Sequence, residues 1–479
     1  LFKKLSLILV LMVALICPKP AQAYENYVDG ITTIEEVLDY TLNYHVDRPK
    51  LDDLVNGAIE GMLDSLNDPH TEYMTPESLK NFTDSLDANY VGIGIKMEAE
   101  GDYPKVVAVF DNSPAQKANL RVGDIIIKVN GQSAYQEPLS AVADKVRGVE
   151  GTTVTLTLQR GKEQFDVTLK RSAVNAPTVT TDIIFDNIGY VAIDSFGTET
   201  SNEFTAAIQQ IKSSAVDGLI IDLRNNTGGY LMSAVHITEH FLPVGTAVVS
   251  VVDNNRESIV YRSYGTGRAA GIPLVILVNG NTASAAEILA GALQDHGVAT
   301  LVGAQTYGKG TVQTLFNLHN GGALKVTAAK YQLPGGRYID GVGIEPDKKI
   351  LSPGLEIHGA KQLIKPDDQI QVEFTVGENR AVVNGKQYRL MGAPYQKNGV
   401  YYIPLRFAME SLGYQVEWDD ARNGSYLTGL GKKLFIPANG ETIHPLEVAN
   451  FISYISVPDL KNLGFNCQVD AQRIKVIKD

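Results

Sequence analysis

The sequence predicts a multidomain α/β protein. Three features carry that expectation: apolar residues at helical spacing near the N-terminus, a β-rich stretch beginning near Tyr90, and a long alternation of apolar strands and helices from about residue 180. A smaller α+β region with an internal repeat follows them. The 479 residues suit about three domains, and the 44% hydrophobic content supplies their cores. The net charge of -12 argues against a nucleic-acid partner, which needs a basic face.

The first 23 residues read as a secretory signal. Lys3 and Lys4 precede an apolar run over 5–16, and Ala21-Gln22-Ala23 offers a small-x-small cleavage site. The run is short for a transmembrane helix, and Cys17 lacks the small residues that precede a lipidated cysteine. Removing residues 1–23 takes away three lysines and no acid, and leaves Cys467 as the one cysteine. An intramolecular disulfide is then impossible. An extracytoplasmic location in a bacterial envelope fits better than a disulfide-rich secreted module.

Residues 24–87 form a helical arm, expected to serve as scaffold or dimerisation region. Apolar residues recur at helical spacing over 34–42 and 51–66; Asp68-Pro69-His70 ends the second run, and Thr75-Pro76-Glu77 starts another helix.

The period changes at Tyr90. Strands are expected over 90–95, 106–110 and 120–126, with Ser113-Pro114-Ala115 between them and a tight turn at Val129-Asn130-Gly131. A helix over 139–146 and a hairpin of 154–158 with 165–169 complete the unit. Order and phrases over 88–172 resemble a PDZ domain, the run from Ser113 to Gly131 most specifically. The resemblance implies capture of peptide C-termini by strand addition. Tyr90, Val91, Gly92 and Ile93 stand at the carboxylate-loop position, where glycine allows close backbone approach. An ordinary bulged strand is the plainer reading of the same four residues. A dinucleotide loop fails for want of a third glycine.

From 173 to 352 the pattern is that of an α/β core. Strands are expected over 188–193, 218–224, 247–252 and 274–278, with helices over 201–211 and 231–241 and another opening at Ser284. Later strands fall at 299–302, 311–318 and 324–332. Residues 353–370 read as a linker. In 371–479, Val400-Tyr401-Tyr402-Ile403-Pro404 with Leu412-Gly413-Tyr414 recurs as Ile452-Ser453-Tyr454-Ile455 with Leu463-Gly464-Phe465. This domain resembles the small one named after the N-terminal region of copper amine oxidases; nothing in it has metal-ligand spacing, so no copper is inferred.

The chemistry centres on Leu274 to Ile288, a fully apolar strand, a turn at Asn279 to Asn281 and a helix opening at Ser284. Such a turn presents a hydroxyl at a helix N-terminus. Ser284-Ala285-Ala286-Glu287 is equally a capping box, with Ser as N-cap and Glu at N3. Two further strings compete. Gly303 to Gly310 approaches a phosphate-binding loop, but Gly310 replaces the magnesium-binding hydroxyl and a strand follows where a helix is needed. His236-Ile237-Thr238-Glu239-His240 satisfies the H-x-x-E-H zinc-protease pattern, without an identifiable third ligand.

The phrase Thr282-Ala283-Ser284-Ala285-Ala286-Glu287-Ile288, followed by Lys309 and Gln313 four residues apart, resembles the carboxy-terminal processing (tail-specific) serine proteases. With the PDZ segment, Asp222 to Gly229 and Gly336 to Asp347, the match spans about residues 50–350. It implies a crotonase-like core in which Ser284 is the nucleophile, Lys309 the general base and Gln313 the holder of its amine. A lysine base must be neutral, a state that burial favours. The N–H groups of Ala285 and of Gly228 or Gly229, Gly229 preferred, would make the oxyanion hole. Arg147, in Val146-Arg147-Gly148, is a regulatory candidate for coupling tail binding to activity. The layout is similar to firmicute members acting in sporulation signalling. It implies a homodimer, polypeptide substrates with apolar C-termini, envelope or membrane proteins among them, and neither cofactor nor metal. A zinc protease and a non-enzymatic PDZ adaptor are the alternatives.

Overall fold

The computed structural model describes residues 21–87, 89–265, 267, 269, 271–429, 431–438, 446–449, 451–470 and 472–478. The expected signal, apart from Ala21-Gln22-Ala23, and Cys17 with it lie outside the described residues. No helix among them is long and apolar enough to cross a membrane.

The chain divides into two compact units, one holding the described residues up to Pro76 together with 313–327, the other holding 77–312 and 328–478. The first contains helices Ala21–Tyr44 and Leu51–Asp64. The second helix buries none of its residues, and Tyr27, Ile34, Val37, Tyr40, Leu51 and Met62 stand exposed along the two. A short strand, Glu72–Met74, pairs antiparallel with residues 323–325. Thr327 N–H donates to Thr71 Oγ1 at 3.0 Å. That pairing is why 313–327, expected within the α/β core, group with the N-terminal arm instead.

The second unit begins with a β-rich module. Strands Ile95–Glu100, Tyr103–Val109, Ile125–Val129, Thr153–Arg160 and Glu163–Lys170 lie side by side in that order. Helix Leu139–Val146 packs on them through the buried Val142 and Val146. Arg160 makes a bidentate pair with buried Asp124, 2.7 Å on both oxygens, which ties the loop after Leu120 to the hairpin.

The next layer is a six-stranded sheet in the order Val179–Ile184, Ile188–Ile193, Gly218–Asp222, Leu274–Val278, Thr300–Gly303, Lys348–Lys349. All neighbours after the first pair are parallel. Gly218–Asp222 and Leu274–Val278 are buried at every position, as strands covered on both faces must be. Alternation assigns the faces. Leu219, Ile221, Leu274, Ile276 and Val278 meet the core of helices Thr200–Lys212, Leu231–Thr238 and Ala285–Asp295. Ile220, Val275 and Leu277 meet a second core shared with the C-terminal module.

The expected linker over 353–370 is corrected. It contains helix Glu356–Ile364, with His358 and Ala360 buried, and it packs on the sheet. Its short apolar period is masked by the flanking Pro353 and Pro366. In the C-terminal module both repeats form strand, helix, strand: Val400–Pro404, Leu405–Ser411, Gln415–Asp419 and then Ile452–Ser456, Val457–Asn462, Asn466–Asp470. Their first strands pair antiparallel, Ile403 opposite Ile455.

Helix Glu356–Ile364 meets this module through His358, 3% exposed, whose Nε2 donates to the Ser411 carbonyl at 3.2 Å. Burial pushes the imidazole pKa down to about 4, with Lys361, Lys348 and Lys386 adding like charge. The unfolded chain, near 6.5, then binds the extra proton between pH 6.5 and 4. The stabilisation is complete above 6.5 and is lost as pH falls towards 4. Thermal unfolding should report a loss of about 2 kcal/mol between pH 6.5 and 5 in the wild type. His358→Gln should flatten that slope; an unchanged slope would assign the acid sensitivity elsewhere.

Candidate active site

The central strand Leu274–Val278 delivers the chain to a tightly held turn. Asn279 N–H donates to Thr282 Oγ1 at 3.0 Å, and Thr282 Oγ1 donates to the Leu223 carbonyl at 2.8 Å. Ala283 N–H donates to the Asn226 carbonyl at 2.9 Å. Ser284 follows with φ 56 and ψ -119, and helix Ala285–Asp295 begins one residue later. These are the angles of the first central residue of a II′ turn, which glycine fills at no steric cost. An ordinary N-cap has extended angles. The expected capping box is present, with Glu287 at N3 accepting the Ser284 N–H, but it does not by itself account for Ser284, whose backbone is held in a conformation costing on the order of 1–3 kcal/mol.

Glu287 supplies the restraint. It is fully buried, and its carboxylate is surrounded by donors. Oε2 accepts from Ser284 N–H and from Lys309 N–H, both at 2.9 Å. Oε1 accepts from Gly308 N–H at 2.8 Å and from Thr306 Oγ1. One carboxylate oxygen thus carries the backbones of both Ser284 and Lys309, so their nitrogens lie no further apart than twice that hydrogen-bond length. Burial pushes the Glu287 pKa up, and the four donors oppose that shift. Thr306 Oγ1 in turn accepts from Ile344 N–H at 2.7 Å. The lysine loop is pressed on the 339–343 turn: a Cβ on Gly308 would lie 2.6 Å from Gly343 N, and one on Gly310 would lie 2.6 Å from Asp340 N. Lys309 itself is half-buried. The buried Tyr331 hydroxyl reaches the Ser284 carbonyl at 3.4 Å.

The glycine pair after Gly218–Asp222 lies directly against this turn. A Cβ on Gly228, at φ +103, would fall 2.7 Å from Ser284 Cβ and 3.1 Å from Ala285 N. Buried Asn226 donates to the Ile193 carbonyl at 2.7 Å and accepts Gly228 N–H at 2.8 Å. That bond corrects the expectation for Gly228: its N–H is spent, and its contribution is to let the two turns touch. The N–H groups of Ala285 and Gly229 make no hydrogen bond among the described residues.

Gln313 falls in the first unit, where its Nε2 approaches Thr327 Oγ1 at 3.4 Å. In the β-rich module, Tyr90, Val91 and Gly92 belong to strand Asn89–Gly92, paired with Ser172–Asn175, and Ile93 is buried just beyond it. Arg147 caps helix Leu139–Val146, and the next residue, Gly148, donates its N–H to the Val91 carbonyl at 3.4 Å.

The two competing strings separate. Gly303 to Gly310 leads into strand Thr311–Asn317 rather than a helix. Helix Leu231–Thr238 ends before Glu239 and His240. His236 points to solvent, whereas the His240 ring packs on Phe204 and its Nε2 meets Thr205 Oγ1 at 3.0 Å. The two imidazoles do not converge on one point. Among the described residues no group of three His, Cys, Asp or Glu side chains has metal-binding geometry.

Comparison with known proteins supplies the family. The description "Peptidase family S41" matches residues 187–350, and "PDZ domain" matches 105–160. "Activating protease CtpB N-terminal domain" matches 17–78, and "Copper amine oxidase N-terminal domain" matches 356–427. The chain is 35% identical over 354 residues to the carboxy-terminal processing protease CtpB of Bacillus subtilis, covering 73% of this chain and 74% of that one. The chain belongs to the S41 family of carboxy-terminal processing proteases. It is also 35% identical over 329 residues to a probable CtpA-like serine protease of Staphylococcus saprophyticus, covering 68% and 67%. Among solved structures it is similar to a photosystem II D1 C-terminal processing protease, 28% identical, covering 65% and 85% of the two chains with a TM-score of 0.43. An S41 peptidase is a serine-type enzyme acting on polypeptides, which sets aside the zinc-protease and adaptor alternatives.

Missing from the sequence reading were the roles of Glu287, Thr306 and Asn226. Glu287 shows in the sequence only as the N3 residue of a capping box, and Asn226 and Thr306 only inside the stretches Asp222 to Gly229 and Gly303 to Gly310. The signal that would have found Glu287 is its charge inside an otherwise apolar helix, whose residues 285–293 are all buried.

Proposed function

We propose that this peptidase cuts with Ser284 as nucleophile, Lys309 as general base and Gln313 as the orienting amide. Ser284 Oγ attacks the peptide carbonyl while the neutral Lys309 amine takes its proton. The tetrahedral oxyanion rests on the N–H groups of Ala285 and Gly229. Lys309 then gives the proton to the departing amine, and water, deprotonated by the same lysine, hydrolyses the acyl-enzyme. The observation that carries this reading is the shared Glu287 oxygen, which holds Ser284 and Lys309 together.

The PDZ module captures apolar C-terminal tails at Tyr90 to Ile93, and Arg147 couples that capture to cleavage. The bond from Gly148 to Val91 supports the coupling, since it links the helix end to the tail-binding strand. The chain acts outside the cytoplasm as a homodimer, in envelope or sporulation signalling proteolysis. The exposed apolar residues of helices Ala21–Tyr44 and Leu51–Asp64 support the dimer, because a second copy would cover them. The match to an activating protease's N-terminal domain supports the signalling role.

The test is cleavage of an unfolded protein with an apolar tail, with and without a metal chelator, and again with a polar tail. The expected result is cutting indifferent to chelator and about tenfold slower with the polar tail, equivalent to about 1.4 kcal/mol. Loss with chelator would overturn the Ser–Lys mechanism. Indifference to the tail would overturn the PDZ assignment.

A further inference from the structure

The C-terminal module and the segment Leu351 to Pro353 enclose an open groove of about 470 Å³, within the size range of ligand pockets. Its walls are unusual for free surface. Met391 is 82% exposed, Phe451 is fully exposed and Trp418 is 37% exposed, all lining the same groove. Large flexible and aromatic side chains gathered at one exposed place mark a contact surface.

Two guanidinium groups, Arg389 and Arg406, line the groove as well. Arg406 Nη1 donates to the Val416 carbonyl at 2.6 Å and to Glu410 at 3.3 Å, while its Nε and Nη2 make no bond among the described residues. Arg389 stands exposed at the end of strand Lys386–Arg389. One carboxylate, Asp420, also lines the groove, its Oδ1 accepting from Trp418 Nε1 at 2.9 Å, so the two guanidinium groups leave a net positive wall beside the apolar surface, complementary to an apolar ligand carrying a carboxylate. The groove is also flanked by strand Glu447–Ala449, which pairs only with Ile452–Ser456 among the described residues. An extended chain can add to such an edge through its backbone.

We propose that this groove is a second polypeptide site, distinct from the PDZ module. It takes an extended apolar segment of an unfolded substrate that carries an internal Asp or Glu side chain. The apolar residues seat on Met391, Trp418 and Phe451, and the carboxylate meets Arg389 and the unused side of Arg406. The site would hold a substrate by its middle while the PDZ module holds its end, so that the two sites together raise the local concentration of chain at the serine. This rests on membership of a family that acts on polypeptides, and not on the Ser284–Lys309 assignment.

Trp418 is the one tryptophan of the chain, so intrinsic fluorescence reports on the groove directly. The full chain carrying Ser284→Ala is titrated with a short peptide of Val, Leu and Ala bearing one central Glu. The peptide is acetylated and amidated, which removes the terminal carboxylate that a PDZ module would take. A saturable blue shift is expected, with affinity about tenfold weaker for the Glu→Gln peptide or in Arg389→Gln. Met391→Ser with Phe451→Ser should abolish the shift while circular dichroism shows the fold intact. No saturable shift, or one that these variants leave unchanged, would overturn the proposal. So would concentration-dependent self-association that Phe451→Ser removes, since the occupant would then be a second copy. The readout does not involve cleavage, so its failure leaves the catalytic reading untouched.

Discussion

Ser284→Ala is expected to reduce kcat by about 10⁶-fold, and Lys309→Ala by a similar amount, because nucleophile and base act as one unit. The double variant should be no worse than either single one. Any residual rate belongs to binding and to the Ala285 and Gly229 donors. A second measurement separates chemistry from fold. Ser284 sits at φ 56 and ψ -119, and alanine keeps the Cβ that makes these angles unfavourable. Ser284→Gly removes it. Relief of about 1–3 kcal/mol of strain outweighs about 0.5–1 kcal/mol of added chain entropy. The glycine variant should therefore be as inactive as the alanine variant and yet melt several degrees higher. Retention of cutting in Ser284→Ala would remove the serine from the mechanism. Equal melting of the two variants would remove strain from the description of the turn.

What the sequence could disclose followed from how local the determinants are. The strand Leu274–Val278 is five apolar residues ahead of a turn-forming Asn-Gly-Asn, so strand, turn and helix start could be placed to within a residue. The helix Leu139–Val146 and the hairpin Thr153–Lys170 were legible for the same reason. Non-local facts were not. Glu287 looks like the N3 residue of a capping box because its Ser284 partner is local, while three of its four donors come from the 306–309 loop. Gly228 and Gly229 are indistinguishable as letters; only the Asn226 side chain, by taking the Gly228 N–H, tells them apart. The string His236 to His240 has helical spacing, but helix Leu231–Thr238 stops inside it, so the spacing never becomes a shared face. Residues 353–370 looked like a linker because prolines bracket them, although Leu355, His358 and Ala360 are buried.

Glu287→Gln carries the other large expected effect, and it tests the positioning role apart from the chemistry. The side chain accepts four hydrogen bonds in a site without water contact: two N–H groups on Oε2, and one N–H with one hydroxyl on Oε1. A glutamine amide fits the volume, but turned to the Oε2 side its NH₂ faces the Ser284 and Lys309 N–H groups, and turned to the Oε1 side it faces the Gly308 N–H, the Thr306 hydroxyl being free to rotate and accept. Each buried donor left without an acceptor costs about 1–3 kcal/mol, so about 1–6 kcal/mol of stability is lost. The turn carrying Ser284 and the loop carrying Lys309 also lose their common anchor or have it distorted. A displacement of about 1 Å at such a site costs on the order of 100-fold in rate. The loss should fall on kcat with little change in KM, because Glu287 is buried beneath the turn rather than placed to touch substrate. Glu287→Asp should not rescue it, since the shorter side chain cannot reach Ser284 N–H and Gly308 N–H together. Near-normal kcat in Glu287→Gln would mean that the side chain works as a neutral acid, which the amide mimics. Burial pushes the group in that direction, and the four donors oppose the shift without cancelling it; the Thr306 hydroxyl is the one of the four that can turn and accept an acid proton. The variant decides between these two forces by a measured rate.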